Sequence, residues 1–181
     1  MGWLIAVVLI IVAFYLVSLY NRLVVLKNKV DNSWAQVDVQ LKRRYDLIPN
    51  LVETVKGYAA HEKDVFENVA RARQMAIQAQ GPTEKGQAEN QLTQALRQLF
   101  AVVEAYPTLR ANENFTQLQG ELSETENKIA YARQFYNDTV FMYNSSIEKF
   151  PANIFANMFG YQRRNLFEVQ GEEREAVKVK F

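Results

Sequence analysis

The chain has 181 residues, with 21 Lys plus Arg against 20 Asp plus Glu, no cysteine and a single histidine, His61. Near-neutral charge supplies no field that would draw the protein onto nucleic acid, and the length allows one compact domain beyond an anchor. Without cysteine there are no disulfides, thiol nucleophiles or cysteine zinc sites, and any histidine-based catalytic pairing would have to be built on His61.

Residues Met1 to Tyr20, MGWLIAVVLIIVAFYLVSLY, contain no charged side chain and no proline. A helix of this length reaches about 30 Å, the thickness of a bilayer's hydrocarbon core, so the run reads as a membrane span. No basic stretch precedes it and no small-x-small pair follows it. The pattern therefore predicts an uncleaved anchor over residues 1–21 rather than a signal peptide. Arg22, Lys27 and Lys29 follow directly. By the positive-inside rule they predict a single-pass protein of the cell's plasma membrane, with its N-terminus outside and its C-terminal domain cytoplasmic.

From Val30, apolar or small residues recur at steps of three and four through Trp34, Val37, Leu41, Tyr45, Ile48, Val52, Val55, Ala59, Phe66, Val69 and Ala76, interrupted across Glu62 and Arg73. This predicts one long amphipathic helix ending at Gln80, continuous with the span and forming a helical stalk over residues 22–48. The successive four-residue steps at Val37, Leu41 and Tyr45 rotate the packing seam near Lys42, Arg43 and Arg44. Pairs within the helix, or with Glu104, Glu121 or Glu126, are the expected partners of these cations. Pro49 lacks an N–H and disfavours helical geometry at Ile48, which predicts a kink or break there and makes it the candidate structural hinge.

Gln80, Gly81, Pro82 and Thr83 are the strongest punctuation in the chain, with Thr83 the expected cap. A second helix carries Ala88, Leu92, Ala95, Leu99, Val102 and Tyr106 on one face and stops at Pro107. A third follows Asn112, shows Phe115, Leu118, Leu122, Ile129, Ala132, Tyr136, Val140, Tyr143 and Ile147 with Thr125 in its polar place, and runs to Phe150. Short connections between long helices make antiparallel neighbours. The third helix outreaches the second, and a short fourth helix at Ile154 to Tyr161 is the expected cover. The predicted fold is all-α: an N-terminal transmembrane helix continuing into a long antiparallel up-and-down helical bundle of three long helices plus a short fourth. The bundle domain occupies residues 49–160, and a flexible or strand-like tail residues 161–181. In the tail Val177, Val179 and Phe181 alternate with lysines, as a strand able to add to another chain would.

Tyr136-Asn137 and Tyr143-Asn144 repeat at a seven-residue spacing, which sets both tyrosines on one stripe and both asparagines on the next. Buried tyrosine hydroxyls need partners and asparagine at a core edge fixes register, which is the structural reading. The functional reading is a recognition face, and with Val177, Val179 and Phe181 these four residues are the candidate partner-binding set. His61 opens HEKDV, but Val65 stands where a zinc-protease helix has its second histidine, and Tyr58 stands where a di-iron bundle has its glutamate. His61 is thus expected as a polar residue on a helix surface. No catalytic residue, metal ligand or cofactor site is predicted.

The stretch LKRRYDLIPNLVETVKGYAAHE from Leu41 to Glu62, the stretch from Glu104 to Asn144 that opens EAYPTLRANENF, and FPANIFANMFGY from Phe150 together resemble the LemA family, in order and spacing. The resemblance implies a membrane-anchored helical bundle of bacterial type with no established reaction. It also implies a link to envelope stress or membrane protein quality control beside a membrane metalloprotease of the HtpX type. Taken together, the sequence leads to a non-enzymatic adaptor or scaffold for other membrane proteins. The alternative is a self-assembling structural protein of the cell envelope, a homo-oligomer. The bilayer itself is the one partner implied under either reading, and nucleic acid is not one.

Overall fold

The computed structural model describes residues 2–169, which form six helices and no strand. Helix α1 spans Gly2–Lys56, α2 Lys63–Gln78, α3 Gly81–Glu104, α4 Pro107–Arg110, α5 Glu113–Glu148 and α6 Ala152–Met158. The chain divides into two units, one of Met1–Val37 with Ala132–Asn165, the other of Asp38–Tyr131 with the chain from Leu166. The all-α class led by a long apolar helix is the one read from the sequence.

In the first unit α1 begins with the apolar run, which is long and apolar enough to cross a membrane and of which no part is buried. Leu4, Ile10 and Phe14 stand exposed. Burying one such side chain is worth about 1.5–3 kcal/mol, so a surface made of them belongs in hydrocarbon. Beyond it Leu23, Val30 and Val37 turn inward, as do Tyr136, Val140, Tyr143 and Ile147 of α5. The α6 helix is where a short cover was expected, and Ala152 and Ala156 form its buried side. It ends in a glycine cap: Gly160 adopts φ +70°, its N–H bonds to Asn157 and the Tyr161 N–H bonds to Ala156 across the turn. A left-handed residue at that position closes two otherwise orphaned carbonyls, and glycine adopts it without penalty.

The second unit corrects the long helix drawn to Gln80. α1 continues through Pro49 and ends at Lys56, and the break falls at Gly57–Glu62, which holds His61 in an exposed turn rather than on a helix. Proline 49 removes the N–H that would have bonded to the Tyr45 carbonyl, the usual reason a helix stops. Here the Arg73 Nε of α2 donates to that carbonyl at 2.7 Å. The gap is filled from outside and the helix persists. The Glu62 interruption in the apolar pattern marks the turn, and the Arg73 interruption marks the residue that repairs Pro49.

Pairs across this unit give its topology. Lys56 lies over the Phe66 ring while the Tyr45 hydroxyl approaches Ala76, so α2 runs antiparallel to α1. Lys85 lies 3.9 Å from Asp38 and Arg44 bonds to Thr93, so α3 runs parallel to α1. Asn112 donates to Tyr58 while Arg44 meets Glu126, so α5 returns antiparallel. Within the unit the four helical segments thus alternate up and down around Leu41, Ile48, Val55, Val69, Leu92, Leu99, Phe115 and Leu122. Thr125 is buried and donates to the Glu121 carbonyl at 2.8 Å, so its polar place is satisfied within its own helix.

The helix starts depend on side chains. Gln80, not Thr83, is the N-cap of α3, and its N–H bonds to Glu84 at 3.1 Å. At α5, the Asn112 Oδ1 accepts the Phe115 N–H at 3.0 Å, the usual side-chain cap. Of the segment expected as a flexible or strand-like tail, residues 161–169 are described. Phe167 is buried, and the Glu168 carbonyl lies so close to Gly86 that a Cβ there would sit 2.2 Å from it. Only glycine at position 86 lets this backbone approach α3.

Candidate functional site

In the first unit the repeated Tyr-Asn pairs form a cradle for the protein's own chain. The Tyr136 ring packs on Trp34 at 5.1 Å, and its hydroxyl donates to the Asn165 carbonyl at 2.8 Å. The Tyr143 hydroxyl donates to Gln162 at 3.0 Å. Asn144 donates to the Arg164 carbonyl and accepts its N–H, both at 2.9 Å, satisfying that residue's backbone as a neighbouring strand would. Burial pushes the Tyr136 hydroxyl up to about 12 and raises that of Tyr143, against the pull of Arg164. Both remain protonated donors at neutral pH. Asn137 is half-buried next to them and has an interaction of its own. Val177, Val179 and Phe181 lie outside the described residues.

The same chain segment walls an open cavity of about 430 Å³ lined by Tyr20, Lys27, Tyr161, Arg163 and Arg164 among others. Arg164 pairs with Asp31 at 3.0 Å and Arg163 with Glu148 at 2.9 Å, both at the surface. Lys27 has no carboxylate partner among the described residues. Tyr20 and Phe159 meet edge to face at 5.3 Å.

The second unit holds a buried ionic cluster. Of the Lys42, Arg43 and Arg44 trio, only Arg44 turns inward. Its guanidinium pairs with Glu89, donates to Thr93 Oγ1 at 3.0 Å, and sets Nε 2.8 Å from Glu126. The Tyr45 hydroxyl donates to the other oxygen of Glu89. Lys85 donates to the Ala76 carbonyl at 3.2 Å and stands 5.6 Å over the Tyr45 ring. Burial first, and then the charge and hydrogen bond of Glu89, hold the Tyr45 hydroxyl far above its usual range. Burial also raises Glu126, with Glu89 adding to the rise and Arg44 opposing it. Of the carboxylates expected to meet the basic trio, Glu126 does so. Glu104 pairs with Arg110 and Glu121 accepts from Gln117.

Glu89 has both oxygens engaged by Arg44 and Tyr45, which makes it a locked acceptor. Arg44 and Glu126 also line an open cavity of about 400 Å³ with Leu96, Phe100 and Leu122. Among the described residues no three His, Cys, Asp or Glu side chains are grouped to hold a metal. Glu89 stands one position after Ala88, which heads the apolar face in the sequence pattern, and so carries no expectation there. The buried stripe Glu89, Leu92, Leu96, Leu99 and Val103 has helical spacing, and an acid at its head was the signal of a buried cation partner.

The fold and these sites define an all-α protein led by a helix long and apolar enough to cross a membrane. The model of the LemA family matches residues 33–181, and the chain belongs to that family. It is similar to magnetosome protein MamQ 2 of Paramagnetospirillum magneticum, 29% identical over 189 aligned positions that cover 89% of this chain and 70% of the relative. Magnetosome protein MamQ of Magnetospirillum gryphiswaldense is 27% identical, with 88% and 69% covered. Protein LemA of Metamycoplasma hominis is 25% identical, with 92% and 75% covered.

Proposed function

We propose that this LemA-family protein is a non-enzymatic, single-pass adaptor or scaffold for other membrane proteins. The observation that carries the reading is on α5. Phe141 is 70% exposed, with Phe135 and Met142 half-exposed, while Tyr136, Tyr143 and Asn144 of the same helix are occupied with the protein's own chain. Large apolar side chains left outward on an otherwise charged helix are what a protein-binding face requires. The partner class is a membrane protein, with a protease of the HtpX type the one implied by the family resemblance. Arg22, Lys27 and Lys29 support a cytoplasmic C-terminal part and an N-terminus outside the inner membrane.

The test is a photo-crosslinking residue at position 141 in native membranes. The expected product is an adduct with a different membrane protein that is lost in Phe135→Asp/Met142→Asp. Adducts only between copies of the chain support instead the self-assembling envelope protein, which the same exposed apolar face favours as the second reading. Protease protection of a C-terminal tag tests orientation, and cleavage from outside intact cells overturns it.

A further inference from the structure

We propose that the first unit carries a site for the phosphate headgroup of an anionic phospholipid, where α1 leaves the bilayer. The proposal rests on the reading of the N-terminal helix as a membrane span. Tyr20 ends the charge-free run, and its ring meets Phe159, so the turn after α6 lies at the level where hydrocarbon gives way to headgroups. Aromatic rings with a polar edge favour that level. The apolar side chains of this segment fit the same placement: Phe150, Ile154, Met158 and Phe159 are all exposed, while Ala152 and Ala156 turn inward. In water these four would be a liability, and at the acyl boundary they are an anchor.

The cavity next to Phe159 supplies the charge. Lys27 lies about 10 Å beyond Tyr20 along the helix, and helical side chains lean toward the N-terminus, which here is toward the bilayer. Arg163 and Arg164 approach from the segment that Gly160 turns back and that Tyr143 and Asn144 hold. Their pairs with Glu148 and Asp31 are exposed and of the kind worth little in water, so a phosphate can share both arginines. A guanidinium matches two phosphate oxygens at once, and Tyr161 at the rim adds a hydroxyl. The cavity is thus polar and cationic inside and apolar along its membrane side, as a lipid seated by its headgroup requires.

The full-length protein in nanodiscs of phosphatidylcholine alone, or of phosphatidylcholine with phosphatidylglycerol, tests this. Hydrogen exchange at residues 159–164 is expected to slow in the anionic discs, and native mass spectrometry to find phosphatidylglycerol retained over phosphatidylcholine. Each cation near an anionic surface is worth about fivefold in affinity, so Lys27→Gln/Arg163→Gln should lose roughly 25-fold of that preference with helix content unchanged. Phe150→Ser/Ile154→Ser/Met158→Ser should weaken protection in both kinds of disc. Equal protection and retention in the two lipids, or a preference that survives Lys27→Gln/Arg163→Gln, overturns the headgroup site. Failure of the chain to enter either disc overturns the membrane span instead.

Discussion

The two units meet one requirement with opposite chemistry. Apolar helices packed side by side can slide by a turn, and polar groups at the seam forbid it. In the second unit the seam is ionic: Arg44, Glu89 and Tyr45 are buried together, with Glu126 at the edge. In the first it is neutral, made by Tyr136, Tyr143 and Asn144 bonding to backbone. A buried ion pair gains little over a well-packed apolar pair, yet one partner left without the other is severely destabilising. A neutral hydrogen bond is worth about 1 kcal/mol, and losing it acts locally. The ionic seam therefore makes its unit fail as a whole, whereas the neutral seam lets a segment come loose while its helices stay.

The largest expected effect follows from that asymmetry. Glu89→Leu leaves Arg44 with only Thr93 and the partly exposed Glu126, takes away the carboxylate that the Tyr45 hydroxyl donates to, and should cost about 3 kcal/mol in denaturant unfolding followed by helix content. Arg44→Met/Glu89→Leu should recover most of this loss. If the double variant is as unstable as the single, the cluster stabilises by charge and the contrast between the units fails. Next is the repair of Pro49. Arg73→Met leaves the Tyr45 carbonyl without its donor and should cost about 1–3 kcal/mol, whereas Arg73→Met with Pro49→Ala, which restores the helical N–H, should cost much less. Additive losses in that cycle would mean that Arg73 acts elsewhere.

Much of this was legible. Apolar periodicity gave the class, because burial of one face determines it, while glycine, proline and asparagine punctuation placed α3, α5 and α6 to within a few residues at their ends. The turn at Gly57–Glu62 is concealed because apolar steps resume at Phe66 in helical register, so Glu62 reads as a polar interruption within one helix. The helix does not break at Pro49: its local preference against helix is real, but Arg73, 24 positions on in sequence, supplies the donor that proline lacks. Such long-range repair has no local signature beyond a charge in an apolar stripe. The Tyr-Asn repeat announced a demand for hydrogen-bond partners, but those partners are backbone carbonyls of residues 162, 164 and 165, and backbone is the same in every sequence. Gly86 has no local signature, because what requires a glycine there is the Glu168 carbonyl, far along the chain.

A smaller effect belongs to the first unit. Asn144→Leu removes both bonds to the Arg164 backbone and should cost about 1 kcal/mol, with Tyr143→Phe costing less. The readout is local: trypsin should cut faster after Arg163 and Arg164, while global unfolding barely moves. Global unfolding that shifts as far as it does for Glu89→Leu would erase the difference between the two seams.

The smallest effect carries a sign. Glu126 is raised above 4.5 by burial and by Glu89, with Arg44 opposing. Between 4.5 and its folded value, the folded protein holds a proton that the unfolded chain has released. Glu126 therefore contributes stability that is fully present below 4.5 and lost as pH rises through that interval. Glu126→Gln keeps an acceptor near the Arg44 Nε and removes the titration, so it should be as stable as the native protein or slightly more so at neutral pH. The expected difference is within about 1 kcal/mol, and it should vanish on acidification. A marked loss at neutral pH would show that the attraction to Arg44 outweighs burial. The ionic seam would then contribute net stability as well as register, which is the distinction the comparison of the two units turns on.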